Sequence, residues 1–441
     1  MLRRAGPAPG VARDAVTTVR LLLGNKFWYA KGGVETYLFE LCEELPAYGY
    51  DVVPFAMTHP RNLPTPYSSF FVDEADYHAS HSWPAKLQMA GRILYSRHAA
   101  GKLAALVDAH PPDLAHFHNV YHQLSPAVLP LLAERGIPIV MTLHDLKLAC
   151  PNYKMRTGGR ICERCIGGHY HHAVVHRCVQ GSVASSALCA LELFAHRRSG
   201  IYETNVDRFI VPSRFYLKKM IEAGLPASKL VWIPSFTHVD RYQPHYGSDD
   251  YFVYVGRLSE EKGLLTLVEA VRGFNQGRLL IVGEGPLRRT LEEYVAANQL
   301  GNVRVLGPRW GTDLVDVMRG ARFSIIPSEW YENCPRSCIE SFACGTPVIG
   351  ANIGGIPEMV EDGLTGLLFT PFSGADLREK IEYLFARPSL AAEMGRAARQ
   401  KAEAEYSPAS HLARLLSVYR EATGRVPRQP DAAYVSDFQT R

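Results

Sequence analysis

Short apolar runs alternate with stretches of helical period along most of this 441-residue chain. Val19 to Leu23 reads as a buried strand, Gly32-Gly33 as a turn, and Val34, Leu38, Leu41, Cys42 and Leu45 recur at the spacing of one helix face up to a stop at Gly49. Val52 to Ala56 predicts a second strand, and similar runs return at Leu114 to Phe117, Ile137 to Leu143 and Arg208 to Val211. After the Pro- and Asp-containing stretch 234–250 the alternation restarts, with strands expected at 251–256, 278–282, 303–306, 322–326, 347–349 and 366–369. Strands separated by helices make a parallel sheet covered on both faces, with ligands expected at the carboxyl ends of the strands. The expected fold is therefore α/β: two doubly wound, Rossmann-like domains facing across a cleft. The first spans residues 17–240 and the second 241–405. Helical patterning over 388–422 closes the chain, and a last helix at 406–424 is placed to cross back onto the first domain. Residues 1–16 and 425–441 lack periodicity and are expected to be disordered.

Composition narrows the class. A hydrophobic content of 47% and a charged content of 21% are those of a soluble globular protein. No apolar run approaches the roughly 20 residues of a membrane span, and the basic start at Arg3-Arg4 leads into Ala, Gly and Pro. A cytoplasmic setting follows. The net charge of +4 is carried by the first half, where residues 1–240 hold 25 Lys/Arg against 19 Asp/Glu. That surplus is too diffuse for a nucleic-acid surface but suits an acidic polymer or an anionic lipid face.

The most informative stretch runs from Glu332 to Glu340, Glu-Asn-Cys-Pro-Arg-Ser-Cys-Ile-Glu. Pro335 suits the first position of a helix, which puts Glu332 in the loop before it and Glu340 on it. The free amides of Arg336 and Ser337 then form a site for an anion such as a diphosphate, with one carboxylate ahead of it for a sugar and one beyond it for a ribose diol. Two ordinary glutamates on a solvated helix are the bland alternative. Gly256-Arg257 to Lys262-Gly263 joins a strand to a helix and sets two cations five residues apart, able to neutralise a leaving diphosphate, although most Lys and Arg are surface cations only. Gly283-Glu284-Gly285 and Gly354-Gly355 are further strand-end turns. In the first half, Lys31-Gly32-Gly33-Val34-Glu35 opens a helix toward the cleft. His118 and the His144-Asp145 pair end apolar strands, where a histidine can meet a sugar or serve as a plain structural residue.

Taken in this order, Gly32-Gly33-Val34-Glu35, His144-Asp145, Pro212-Ser213, Gly256-Arg257 with Lys262, and Glu332 to Glu340 resemble the retaining GT-B glycosyltransferases of glycosyltransferase family 4. The resemblance covers about residues 19 to 385. It implies that a nucleoside diphosphate sugar is held mainly by the second domain and the acceptor by the first. Arg257 and Lys262 would bind the diphosphate and stabilise its departure, Glu340 the ribose hydroxyls, and Glu332 and His144 the donor sugar. Gly33 would lie against the diphosphate or acceptor, with Gly256, Pro335 and Arg336 on the donor side and Gly32, Glu35 and His118 on the acceptor side. Such enzymes retain the anomeric configuration and need no metal for the chemistry, because cationic side chains and helix amides take its place. The product would be a cell-surface polysaccharide or glycolipid, made on a glycan or lipid-linked acceptor. Asn333-Cys334-Pro335-Arg336 departs from the small or aliphatic residues more common after the first Glu, so the sugar stays open.

Rival readings are a nucleotide-sugar epimerase, a dinucleotide-dependent oxidoreductase and a non-catalytic scaffold at a membrane. Against the oxidoreductase, the first turn lacks Gly-x-Gly-x-x-Gly. Lys86 to Val107, with Arg92, Arg97 and Lys102 among apolar residues, could lie on the inner membrane surface or pack on its own core. Finally, Cys150, Cys162, Cys165 and Cys178 fall in one Gly- and His-rich insert over 150–180, where four thiolates could close a structural zinc site or remain free thiols. Cys42, Cys189, Cys334, Cys338 and Cys344 read as packing residues.

Overall fold

The computed structural model describes residues 18–74, 90–247 and 249–425. Two six-stranded parallel sheets carry the fold. The first half supplies β1 (Val19–Gly24), β2 (Tyr50–Phe55), β3 (Leu114–Phe117), β4 (Ile139–Thr142), a small antiparallel hairpin β5 (Arg156–Thr157) and β6 (Arg160–Ile161), then β7 (Arg208–Val211) and β8 (Leu230–Trp232). Their order in the sheet is β2-β1-β3-β4-β7-β8, the hairpin standing apart. The second half supplies β9 (Tyr251–Val255), β10 (Arg278–Val282), β11 (Val303–Gly307), β12 (Ser324–Ile326), β13 (Val348–Ala351) and β14 (Gly366–Phe369), ordered β11-β10-β9-β12-β13-β14. In each sheet the order reverses beside the first strand of the half, β1 or β9. A crevice therefore opens at the strand ends there.

The strands form where they do because each is a short apolar run buried on both faces: β3 and β4 expose nothing, and Phe252, Val253, Ile349 and Leu279 are wholly buried. β8 is a three-residue strand that the pattern did not announce. The helix Pro408–Thr423 packs Leu412, Leu415, Val418 and Tyr419 against Val19, Leu21 and Leu114 of the first sheet. The preceding helix, Pro388–Glu405, joins the core of the second through Ala391, Met394 and Ala398. The expected disorder at 1–16 and from residue 426 lies outside the described residues, and so do positions 86–89 of the proposed membrane stripe. The rest of that stripe is corrected: the helix Arg97–Ala109 spends Ala99, Leu103, Leu106 and Val107 on the core, leaving no apolar face for a bilayer. Among the described residues no helix is long and apolar enough to cross a membrane.

Candidate active site

Two loops of the second sheet meet backbone to backbone because glycine allows it. A Cβ on Gly283 would fall 1.9 Å from the carbonyl oxygen of Gly256, and one on Gly285 would fall 2.3 Å from that of Leu258. This stacking positions the loop after β9, which carries Arg257 and Lys262. A second pair of glycines fixes the segment before the Arg336–Ala343 helix. Gly354, at φ +61°, and Gly355 lie so close to it that added Cβ atoms would stand 2.5 Å from the Glu332 carbonyl oxygen and 1.8 Å from that of Asn333. The Gly355 amide donates to the Glu332 carbonyl at 2.8 Å.

Between these loops Lys262 Nζ donates to Glu332 Oε1 at 2.6 Å, and Ser328 Oγ donates to the same oxygen at 2.6 Å. Glu332 is 5% exposed, so its charge is matched here by Lys262 alone, whose ammonium also stands 5.2 Å from the centre of the Trp330 ring. Arg257 is exposed at the mouth. It lies near enough to Lys31 of the first half to lower that ammonium's pKa, a minor contribution after burial. Pro335 takes the capping position of the helix, one residue earlier than predicted, so the Arg336 and Ser337 amides open the first turn without intrahelical partners. A Cβ on Gly33 would lie 3.8 Å from Arg336 Cβ, so the glycine turn of the first half stands directly over that turn.

Several predicted side chains have other work. The guanidinium of Arg336 does not face a ligand: it donates to Glu340 Oε1 at 2.8 Å, Glu40 Oε2 at 2.9 Å, Thr237 Oγ1 at 2.8 Å and the Phe236 carbonyl at 3.2 Å. It ties the donor-side helix to the first half. Glu340 is its partner, shielded from water with its pKa raised by burial against the pull of Arg336, and Tyr242 also bonds it. Glu35 is buried under Asn25, whose Nδ2 donates to it at 3.3 Å, and burial raises its pKa. It braces the turn from beneath. His118, expected on the acceptor side, is completely buried. Its Nδ1 lies 2.9 Å from Nε2 of His144, so it positions that ring from behind. Burial lowers His144 to about 4 and holds His118 well below its ordinary value, with His116 pushing in the same direction. Both rings are neutral at physiological pH, when His144 can share a proton but carries no charge.

Residues that patterning could not single out join the halves. Asn333 Nδ2 donates to the Leu143 carbonyl at 3.1 Å and the His144 carbonyl at 3.4 Å, and Ser213 Oγ donates to Asn333 Oδ1 at 2.9 Å. Glu358 accepts the amides of Arg214 and Phe215 at 2.8 and 2.6 Å. The sequence had marked Pro212-Ser213 and Asn333 but not their pairing across the halves.

Models of two families match this arrangement: Glycosyltransferase Family 4 over residues 31–241 and Glycosyl transferases group 1 over 237–401. A D-inositol 3-phosphate glycosyltransferase from Saccharomonospora viridis is 30% identical over 323 residues, 70% of this chain and 70% of that one. The chain belongs to glycosyltransferase family 4. An uncharacterised glycosyltransferase from Methanocaldococcus jannaschii is 30% identical over 192 residues, 44% of this chain and about half, 53%, of its own length. The fold is shared with sucrose-phosphate synthase from Thermosynechococcus elongatus, at TM-score 0.69 and 23% identity over 91% of this chain and 98% of that one. It is shared too with Anabaena HepE in complex with UDP and glucose, at TM-score 0.65 and 16% identity over 91% and 99%. This glycosyltransferase has the GT-B fold. The epimerase, oxidoreductase and scaffold readings give way to it.

Proposed function

We propose that the donor is a nucleoside diphosphate hexose seated at the carboxyl ends of β9 and β12, and that the acceptor hydroxyl belongs to a glycan or lipid-linked molecule presented by the first half. The observation that carries the reading is the Lys262–Glu332 pair at 2.6 Å, lying between exposed Arg257 and the open amides of Arg336 and Ser337. A diphosphate entering there meets two cations and a helix start, and Lys262 exchanges a buried carboxylate partner for the phosphate oxygens. Glu332 is then released toward the donor sugar, and Glu340 lies one turn along the helix for the ribose diol. Neutral His144, held by His118, faces the sugar as a hydrogen-bonding group.

Charge growing on the leaving phosphate in the transition state is met by Arg257, Lys262 and the two amides, which are already oriented. With retention, the departing phosphate itself accepts the acceptor's proton on the same face, so no separate base is required of this site. The UDP in HepE and the inositol phosphate in the name of the Saccharomonospora relative support a nucleotide donor and a polar acceptor without naming either here. A cytoplasmic enzyme working at the inner membrane surface when its acceptor is lipid-linked is the setting this reading implies, in polysaccharide or glycolipid synthesis.

Thermal-shift measurement against UDP-, GDP- and ADP-hexoses tests the donor: one nucleotide class should raise Tm, by an amount growing with concentration. NMR of the product should then show the donor's anomeric configuration. A protein that none of the three classes stabilises, or a product of inverted configuration, overturns the proposal.

A further inference from the structure

Residues 150–178 form an excursion between the end of β4 and the helix Val183–Ser199; Cys150 and Met155 reach the core of the first half, and the remainder packs largely on a small cluster of its own. Its apolar cluster is Cys165, Tyr170, Ala173, Ala190 and Leu193, and two of those five belong to the following helix. Four of the chain's nine cysteines fall inside it, spaced Cys150, Cys162, Cys165 and Cys178. They come from distant points of the excursion: the loop beyond His144, the strand-to-turn junction after β6, and the end of the His171–Val175 helix. Even so, the four thiols lie within electrostatic reach of one another, and those of Cys150 and Cys165 are hydrogen-bonded.

The backbone around them is shaped by polar contacts to sulfur and by tight glycine turns. The sulfur of Cys150 accepts the amides of Asn152 and Met155, an arrangement suited to a thiolate. Cys162-Glu163-Arg164-Cys165 is followed by Gly167 and Gly168 in left-handed conformation, at φ +79° and +95°, which turns the chain sharply behind the pair. Asn152 knits the ends, accepting the thiol of Cys150 at 3.0 Å and donating to the Cys178 carbonyl at 3.4 Å.

Charge points the same way. Residues 150–178 hold five Lys/Arg, at 154, 156, 160, 164 and 177, against the single carboxylate Glu163. Four thiolates around a divalent ion carry a net charge of about −2, which this excess balances. Among the described residues the trio drawn within 4.8 Å is a different one, His122, Cys189 and Glu192. It is not a rival, because Lys147 already neutralises Glu192 at 2.8 Å. The four sulfurs stand looser than that trio, and an ion would draw them together.

We propose that Cys150, Cys162, Cys165 and Cys178 bind one structural zinc ion that holds this excursion in shape. The excursion in turn reaches the donor loop. Lys154 Nζ pairs with Glu261 at 3.1 Å, and Arg156 pairs with Glu260 at 3.0 Å and Glu329 at 3.4 Å, which brackets the approach to Lys262. Binding converts the thiols to thiolates and releases their protons to solvent. Zinc fits a closed all-sulfur shell better than a catalytic role, since no position is left for water or substrate.

The test is elemental analysis of the full-length, untagged chain purified without chelator or added metal. About one zinc per chain is expected, with none of the visible absorbance of an iron–sulfur cluster. Cys162→Ser and Cys178→Ser should each lower zinc content at least tenfold, whereas Cys189→Ser, outside the group, should leave it unchanged. Should the serine variants not fold, the wild-type chain serves: a thiol-specific mercurial should release the zinc stoichiometrically, read with a chromogenic chelator. Protease should then cut within 150–178 while the rest of the chain persists. A folded preparation free of zinc, one holding iron instead, or one with the four cysteines in disulfides overturns the proposal. Since these readouts do not involve turnover, they stand or fall independently of the donor assignment.

Discussion

Lys262 and Glu332 are the residues whose removal separates catalysis from stability. Lys262→Ala should lower kcat/KM by about 10²–10³-fold, the usual loss when a preorganised group facing transition-state charge is deleted. It should also destabilise the fold by about 1–3 kcal/mol, because it strands a carboxylate that is 5% exposed with only Ser328 beside it. Adding Glu332→Gln should restore much of the stability and none of the turnover, since an amide needs no counter-charge. Urea unfolding and steady-state rates on the two variants decide this. Recovery of activity in the double variant would mean that Lys262 serves only to neutralise Glu332. The pairing itself was not legible in the sequence. Spacing put the two residues in separate loops 70 positions apart, and only the glycine stacking of the strand-end loops brings them to 2.6 Å. The predicted side chains that prove to be held by protein partners share one cause. Glu35, His118 and the Arg336 guanidinium are polar groups at strand or helix ends, where pattern expects exposure, but each is engaged by a partner on another element, such as Glu40 for Arg336.

At the scale of elements, the strands were legible because a parallel sheet buried on both faces leaves continuous apolar runs, and β1, β3, β7, β10 and β14 fall where those runs are. β8 was not, since three residues give no period. The helix Arg97–Ala109 was seen as amphipathic, but whether an apolar stripe meets lipid or protein depends on what packs against it. Glycines inside elements divide by what surrounds them, and two substitutions should move stability in opposite directions. Gly355→Ala places a Cβ at 1.8 Å from the Asn333 carbonyl oxygen, so the turn or the Glu332–Asn333 segment must shift; a loss of about 1–3 kcal/mol is expected, with a rise in donor KM. Gly101→Ala, on a helix with nothing within 4 Å of the new carbon, should gain about 0.5–1 kcal/mol by restricting the unfolded chain. Differential scanning calorimetry of both checks the contrast, and a neutral Gly355→Ala would remove the close approach from the account of the site.

Across the whole molecule, the first sheet and the returning helix Pro408–Thr423 are joined through buried imidazoles. His116 bonds Tyr419 at 2.6 Å and Thr142 at 2.7 Å, and His411 bonds Tyr37 at 2.9 Å and the Pro234 carbonyl at 2.8 Å. Burial lowers His116 to about 3, His411 to about 4 and His144 to about 4, and holds His118 well below its ordinary value. In the unfolded chain all four titrate near 6.5. Between about pH 6.5 and 4 the unfolded state therefore binds protons that the folded state refuses, and stability falls as the solution is acidified through that window. Each histidine contributes up to about 1.4 kcal/mol per pH unit. Glu192, depressed to about 2 beside Lys147, adds to the loss only below its unfolded value of 4.5, while Glu340 and Glu35, raised by burial, act in the opposite sense at that acid end. The histidines thus set the decline that begins near pH 6.5. Urea unfolding at half-unit steps from pH 7.5 to 5.0 should show a plateau above 7 and a steep decline below 6.5, the slope giving the net proton uptake on unfolding. His411→Gln, whose amide can still meet Tyr37 or Pro234, should start less stable and lose less on acidification. A profile flat from 7.5 to 5.0 would show that these rings accept protons in place, and the returning helix would then not be held by neutral imidazoles.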